Sequence, residues 1–377
     1  MDNHYYFDNN ATTRVSLAVS KAMTEVAYYD YGNASSSYSL GLRAKDRIKD
    51  AREKVASLFS GEIDNIVFTS GATEANNTII HSALKKHPER RVILTSSVEH
   101  PSVSNVLRHY EEDGYKVIHI PVTEKGVDFN FYLNHLSHDV ALITFMSVNN
   151  ETGMVFPIDD MFHYAKEFDE GIICHSDCVQ AIGKTNIPLA YADYLSISAH
   201  KFHGPKGIGC IFKKKGMDFY PLLYGGGQER GYRSGTENVA GIVGMGVAAS
   251  EISQSLQATS FLERMQHDLE ESLLKEGAYI VGRTANRVSG VINVGFKGIE
   301  AYMLHLHLNK KRIFVSTGSA CSSNRIGISP IIREMGVPKE YASTIRISMS
   351  RYTTKEEVDY LKTSIIEIIK SYRRKQF

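Results

Sequence analysis

The chain has 377 residues, with 43 Lys and Arg against 42 Asp and Glu, for a formal net charge of +1. At 42% apolar and 23% charged residues, the composition is that of a globular protein with enough length for two or three domains' worth of core. The near-zero charge excludes a global field that would gather nucleic acid or an anionic membrane surface. Four cysteines, Cys174, Cys178, Cys210 and Cys321, are too few for a disulfide framework. The opening residues show neither a basic nor an apolar leader region, and no stretch reads as long and apolar enough for a bilayer. No secretory signal and no membrane span are therefore expected, and a reducing cytoplasm is the expected compartment.

From the amino terminus, residues 44–59 place Ile48, Ala51, Val55 and Leu58 on one helical face. Seven β-rich runs follow, at 66–69, 91–95, 116–120, 141–145, 171–174, 194–197 and 207–212. The stretches between them are mainly helical in pattern, which predicts a mostly parallel sheet covered on both faces. A helical connection then covers about 236–276. Beyond it, 288–296 and 343–348 read as strands and 300–308 as a helix. The last helix opens on a capping box, Thr354 and Glu357, before Val358, Leu361, Ile365, Ile368 and Ile369. This tail predicts a smaller α+β domain, with 15–255 as the large domain and 1–14 plus 256–377 as the small one.

Several predicted strands end in groups that carry chemistry. Lys201 follows the run 194–198, in Ser-Ala-His-Lys-Phe-His-Gly-Pro, where a lysine must be exposed, paired or covalently used. Asp177 closes the run 171–177. An amine and a carboxylate at two strand ends suit a pyridoxal phosphate site, which needs a Schiff-base lysine and an acid for the pyridinium nitrogen. Sheets of this kind bind ligands at the carboxyl ends of their strands, the edge where His100 also falls. Gly71 permits a tight strand-to-helix turn, and the amides of Ala72 and Thr73 would then face an anion. Asn150 either makes a turn or donates to an oxygen on a bound ring, and Gln180 could reach the same oxygen.

The glycine-rich run 225–236 reads as a surface loop, or as backbone approaching another chain or a phosphate with Thr236 as a donor. Cys321 lies among small polar residues, in Ser316-Thr-Gly-Ser-Ala-Cys-Ser-Ser, and is the better nucleophile. The other three cysteines lie in strand-like surroundings and read as buried structural thiols. Cys174 and Cys178 lack a second Cys/His pair at suitable spacing, so no zinc site is expected. Arg346 alternates with apolar neighbours on a strand. It suits either a salt bridge or bidentate capture of a carboxylate.

In this order the segments resemble the group I (NifS/IscS-like) cysteine desulfurases of the class V aminotransferase family. The resemblance runs from Phe7-Asp-Asn-Asn-Ala-Thr-Thr to Arg351-Tyr-Thr-Thr-Lys-Glu-Glu-Val-Asp. It implies an α/β, aspartate-aminotransferase-like fold (pyridoxal phosphate fold type I), with a mostly parallel seven-stranded sheet in the large domain and a smaller α+β domain. It implies pyridoxal 5′-phosphate as cofactor, L-cysteine as substrate, a homodimer and a sulfur-acceptor protein, with no direct nucleic-acid or membrane contact. Lys201 would anchor the cofactor and move protons, Asp177 would pair with the pyridine nitrogen, and His100 would stack on the ring as an acid/base. Asn150 and Gln180 would bond the phenolic oxygen. Ala72, Thr73, Ser198 and His200 would hold the phosphate, with Thr236 reaching in from the other subunit. Arg346, with Asn33, would hold the substrate carboxylate, and Cys321 would take the substrate's sulfur, leaving alanine and an enzyme persulfide.

A thiol is what sulfur-to-sulfur transfer needs. The stretch from Cys321 to Gly336 matches the extended loop of the first desulfurase group, and the second group's Arg-x-Gly-x-x-Cys is absent. Ala34, Tyr38, Cys178, Tyr232 and Ser350 depart from the usual pattern. The alternatives are a selenocysteine lyase or aminotransferase of the same fold, or a desulfurase with little activity without its partner. Iron–sulfur cluster assembly, tRNA thiolation and DNA phosphorothioation are the pathways the resemblance leaves open for the sulfur.

Overall fold

The computed structural model describes residues 4–317 and 328–374. Seven strands form the large sheet: β1 (Ile66–Thr69), β2 (Val92–Ser96), β3 (Lys116–Ile120), β4 (Val140–Met146), β5 (Ile173–Asp177), β6 (Tyr194–Ser198) and β7 (Gly209–Lys213). Their spatial order is β1-β7-β6-β5-β4-β2-β3. Only β7 runs against its neighbours, so the other six carboxyl ends share one edge. Every residue of β4 through β7 is buried, as expected for strands covered on both faces. Each fully buried Val, Ile, Leu or Phe there contributes about 1.5–3 kcal/mol of transfer free energy. The sheet is the mostly parallel one expected, with two strands at their expected bounds and the boundaries of the others shifted by at most three residues.

A second sheet contains β8 (Ala278–Ile280), β9 (Val291–Phe296), β10 (Ser316–Thr317) and β11 (Thr344–Ser348), in the order β8-β9-β11-β10 and antiparallel throughout. The helices Thr259–Lys275, Ala301–Lys310 and Lys355–Arg374 bury Leu269, Leu304, Leu361 and Ile365 with Ile292 and Ile345 of this sheet. The expected capping box is present: Glu357 N–H donates to Thr354 Oγ1 (3.2 Å) and Thr354 N–H to Glu357 Oε2 (2.9 Å). Phe7 belongs to this second core although it lies at the other end of the chain.

One expectation is corrected. Helices Val239–Ser250 and Ile252–Gln257 follow each other closely, and together they are long and apolar enough to cross a bilayer by length and composition. Ile242, Val243, Met245 and Ala248 on the first are buried in the main core. It packs against the helices Leu17–Tyr29 and Ser39–Ser57. Its apolar character is that of a core helix.

The glycine-rich run is pinned rather than free along its length. Glu229 is buried and meets Arg52 in a bidentate pair (2.6 and 2.7 Å), while Oε2 also accepts Phe68 N–H (2.8 Å). Arg233 then bonds Glu74 at 2.9 Å, tying the loop to the helix Ala72–Lys86 that follows β1.

Candidate active site

At the shared carboxyl edge the chain encloses a cleft of about 480 Å³. Ten of the predicted site residues line it: Ala72, Thr73, His100, Asn150, Asp177, Gln180, Ser198, His200, Lys201 and, entering from the second sheet, Arg346. Lys201 follows β6 in a short turn, after which His203 takes a left-handed backbone conformation (φ 68°). That conformation is costly for a residue with a Cβ. It is held by His203 N–H donating to Thr13 Oγ1 (2.7 Å) and by His203 Nδ1 at 2.9 Å from the Arg14 carbonyl. Lys201 Nζ donates to the carbonyls of Asn10 and Ala11, both at 2.8 Å.

Asp177 ends β5 with its carboxylate fixed on both oxygens. Oδ1 accepts Val179 N–H (3.0 Å) and Oδ2 accepts Asn76 Nδ2 (2.9 Å). Asn76 also donates to Ser102 Oγ (2.9 Å) and accepts a short bond from Ser196 Oγ. Ser196 in turn faces His175 Nε2 at 3.3 Å. Burial drives His175 down to about 3, so it is a neutral link in this network.

His100 caps the helix Pro101–Glu112, and Ser102 N–H donates to its Nδ1 at 3.1 Å. Nδ1 is thus an acceptor and the neutral ring carries its proton on Nε2. Burial lowers its proton affinity, opposed by Asp177 and assisted by Lys201. Behind it, the buried Glu99 accepts Ser96 Oγ–H (2.5 Å) and Met146 N–H (3.0 Å). Burial raises Glu99 to about 8, outweighing those two bonds, with the Asp177 charge adding to the rise.

At the other end of the cleft lies the amino-terminal turn of the helix Ala72–Lys86, whose first amides have no partner within the helix. Gly209 is required here: a Cβ would lie 2.5 Å from the Ile197 carbonyl oxygen and 2.8 Å from Gly71 backbone. Burial, with Lys201 and Lys206 close by, pushes His200 down to about 4, and its Nδ1 lies 3.2 Å from Thr12 Oγ1.

Arg346 projects from β11 with Nη1 on the Asn150 carbonyl (3.0 Å) and Nη2 on Asp8 (2.6 Å). Its Nε is buried and has no partner among the described residues. The Asn150 side chain is similar: Oδ1 is buried and without a donor among those residues. The Gln180 amide is committed at both ends, to the Asn10 carbonyl (3.0 Å) and to Lys184 (2.6 Å).

Two predicted residues stand apart from the cleft in this chain. Asn33 is exposed and uses Oδ1 to accept Ser35 N–H at 2.9 Å. Thr236 is exposed on the glycine-rich loop and does not line the cleft. Cys321 lies outside the described residues. Cys174, Cys178 and Cys210 are buried free thiols, raised far above the usual range by burial. Sequence reasoning gave no role to Asn10, Asn76, Glu99 or Lys184. Asn10 lies inside the motif quoted above, but only folded contacts reveal the four.

The donor set suits pyridoxal phosphate. A lysine amine, a fixed carboxylate, a half-buried imidazole and a helix amino terminus share one cleft. The unpartnered polar atoms of Asn150 and Arg346 are what a polar ligand would satisfy.

The family model for class-V aminotransferases matches residues 5–361. The chain is 41% identical over 376 residues to the cysteine desulfurase NifS of Azotobacter vinelandii, covering 98% of this chain and 93% of that protein. Among solved structures, it is similar to a NifS-like protein with a TM-score of 0.92 and 36% identity, covering 98% of this chain and 100% of that one. It is also similar to SspA in complex with cysteine, with a TM-score of 0.80 and 31% identity, covering 93% of this chain and 100% of that one.

Proposed function

The chain belongs to the class-V aminotransferase family, a pyridoxal phosphate-dependent family, and to its cysteine desulfurase branch. On that premise we propose that the cleft converts L-cysteine to L-alanine and transfers the sulfur to Cys321. The observation that carries this reading is the convergence of Lys201, Asp177, His100 and Arg346 on one cleft, in a chain that also holds a cysteine within Ser-Ala-Cys-Ser-Ser.

When bound, pyridoxal phosphate supplies an electron sink that loosens bonds at the substrate's α- and β-carbons. Lys201 anchors the cofactor and moves the proton at the substrate's α-carbon. Asp177 holds a proton at the ring nitrogen, and Asn76 keeps its carboxylate in place. His100, with its proton on Nε2, would lie against the ring, and Asn150 would meet the ring's oxygen. Gln180 supports that oxygen's side of the cleft from its bonds to Asn10 and Lys184. The amides of Ala72 and Thr73, with Ser198 and His200, receive the phosphate.

Arg346 binds the substrate carboxylate, the role that the resemblance also gives to Asn33. The substrate's Cβ–S bond breaks as an S–S bond forms to Cys321. One proton returns to carbon and one stays on the outer sulfur, so cysteine plus thiol gives alanine plus persulfide. An acceptor protein then removes the outer sulfur.

The functional unit in this reading is a homodimer in which Thr236 completes the partner's phosphate site. Exposed Tyr28, Tyr29 and Tyr31 on one segment, and Leu223 and Tyr224 on another, support a covered face of this kind. The division into 15–255 and the remainder is supported by the second core, whose residues are Phe7 and residues from 262 onward. Three free cysteines among the described residues support a reducing compartment.

The test is Cys321→Ala in the cofactor-loaded enzyme. Alanine and sulfide release from L-cysteine should be lost while the bound-cofactor absorbance persists. Unchanged turnover would remove Cys321 from the reaction.

A further inference from the structure

Behind Lys201, a cavity of about 40 Å³ is lined by a second lysine, Lys184. Lys184 Nζ donates to Asn10 Oδ1 (2.8 Å) and to Gln180 Oε1 (2.6 Å). Both acceptors are neutral amide oxygens. The charged groups acting on it are the cations Lys201 and Arg346, which add to burial in drawing its proton affinity down to about 7; His203 also faces it. A neutral amine has two hydrogens, and the two oxygens match them, so the bonds persist when the charge is lost.

Asn10 is the shared element. Its N–H donates to Ser348 Oγ (2.9 Å) and its Nδ2 to the Asn150 carbonyl (3.1 Å). Its own carbonyl receives both Lys201 Nζ (2.8 Å) and Gln180 Nε2 (3.0 Å). Lys184 therefore holds both amides that shape the oxygen on which the Lys201 amine rests. Without it, Asn10 Oδ1 and Gln180 Oε1 lose their donor in a buried setting, and Gln180 is free to leave the Asn10 carbonyl.

We propose that Lys184 is a positioning residue for Lys201, fixing the Asn10 and Gln180 amides so that the reacting amine is held at one place against the cofactor. This rests on the reading of Lys201 as the cofactor anchor. The role differs from that of a structural lysine because it alters what happens at the Lys201 nitrogen.

The test uses full-length enzyme carrying Lys184→Met or Lys184→Gln, each compared with the parent and with Lys201→Ala. Five quantities are measured: the rate at which apoenzyme takes up pyridoxal phosphate, the pH midpoint of the bound-cofactor absorbance, kcat and KM for L-cysteine, and the thermal midpoint. Lys184→Met should slow cofactor uptake and lower kcat about tenfold, with KM within about threefold of the parent. The pH midpoint should rise, because removing a neighbouring cation favours the protonated form of the nitrogen attached to the cofactor. Lys184→Gln keeps an N–H donor group and loses the charge, so it should give a smaller loss of kcat with the midpoint moved the same way. It carries the test if Lys184→Met does not fold. Parent values of uptake rate, kcat and pH midpoint in the variants would overturn the proposal, even with a lowered thermal midpoint. A parent that takes up cofactor no better than Lys201→Ala would instead overturn the reading of Lys201 itself.

Discussion

The wall of the cleft formed by the large sheet takes its groups from the ends of single strands. His100 follows β2, Asn150 follows β4, Asp177 ends β5 and Lys201 follows β6. The opposite wall takes its groups from segments that meet only in the folded chain, Arg346 of β11 and Asn10 near the amino terminus, which are backed by Asp8 and Lys184. The first wall is fixed by the hydrogen-bond ladder and by buried strands. The second is fixed by polar contacts between distant segments, such as Asn10 N–H on Ser348 Oγ. Chemistry at the first wall should therefore be lost outright when its own residue is removed. At the second, it should degrade in steps as individual contacts are removed.

The largest expected effect is on the first wall. Lys201→Ala should leave turnover at least about a thousandfold down, since nucleophilic and proton-transfer roles are lost together. Absorbance of bound cofactor checks the anchor separately from activity. On the second wall, Arg346→Lys keeps the charge but loses the planar fork. It should lower kcat/KM for L-cysteine about 10- to 100-fold, with cofactor absorbance retained. Equal losses of cofactor absorbance in both variants would erase the distinction between the walls.

Asn76→Ala tests what stiffens the first wall. Asp177 Oδ2, Ser102 Oγ and Ser196 Oγ would each lose a partner, for an expected loss of about 1–3 kcal/mol in chemical denaturation. At Glu99 the effect depends on pH: the folded form keeps its proton up to about 8 while the unfolded carboxyl releases it near 4.5. The folded state then binds more protons across that window, so this group makes stability fall as pH rises from 4.5 to about 8. Glu99→Gln should have near-parent stability at the acidic end and gain on the parent toward the basic end. Denaturant midpoints across that range check the sign.

The difference between the walls also explains what could be read from the sequence. Each group of the first wall follows a short apolar run, so its place at the sheet edge was visible from local pattern. The pinning of the glycine-rich loop by Arg52 and Glu229, 177 positions apart, was not. Neither was the bond from Asn10 to Ser348, which joins positions 338 apart. Asn76 lies on a helix and reads as an ordinary polar residue until the helix is docked over Asp177. Lys184 reads as a surface lysine in a turn until its two amide acceptors are brought around it. Local pattern reports burial and period, and these roles depend on partners that only tertiary packing supplies.

The most direct measurement is the mass of the peptide containing Cys321 after the cofactor-loaded enzyme has reacted with L-cysteine in the absence of reductant. A gain of one sulfur on that peptide, with alanine formed in equal amount and both absent in Cys321→Ala, is the predicted result. Alanine formed with no sulfur on Cys321, or pyruvate in place of alanine, would contradict it.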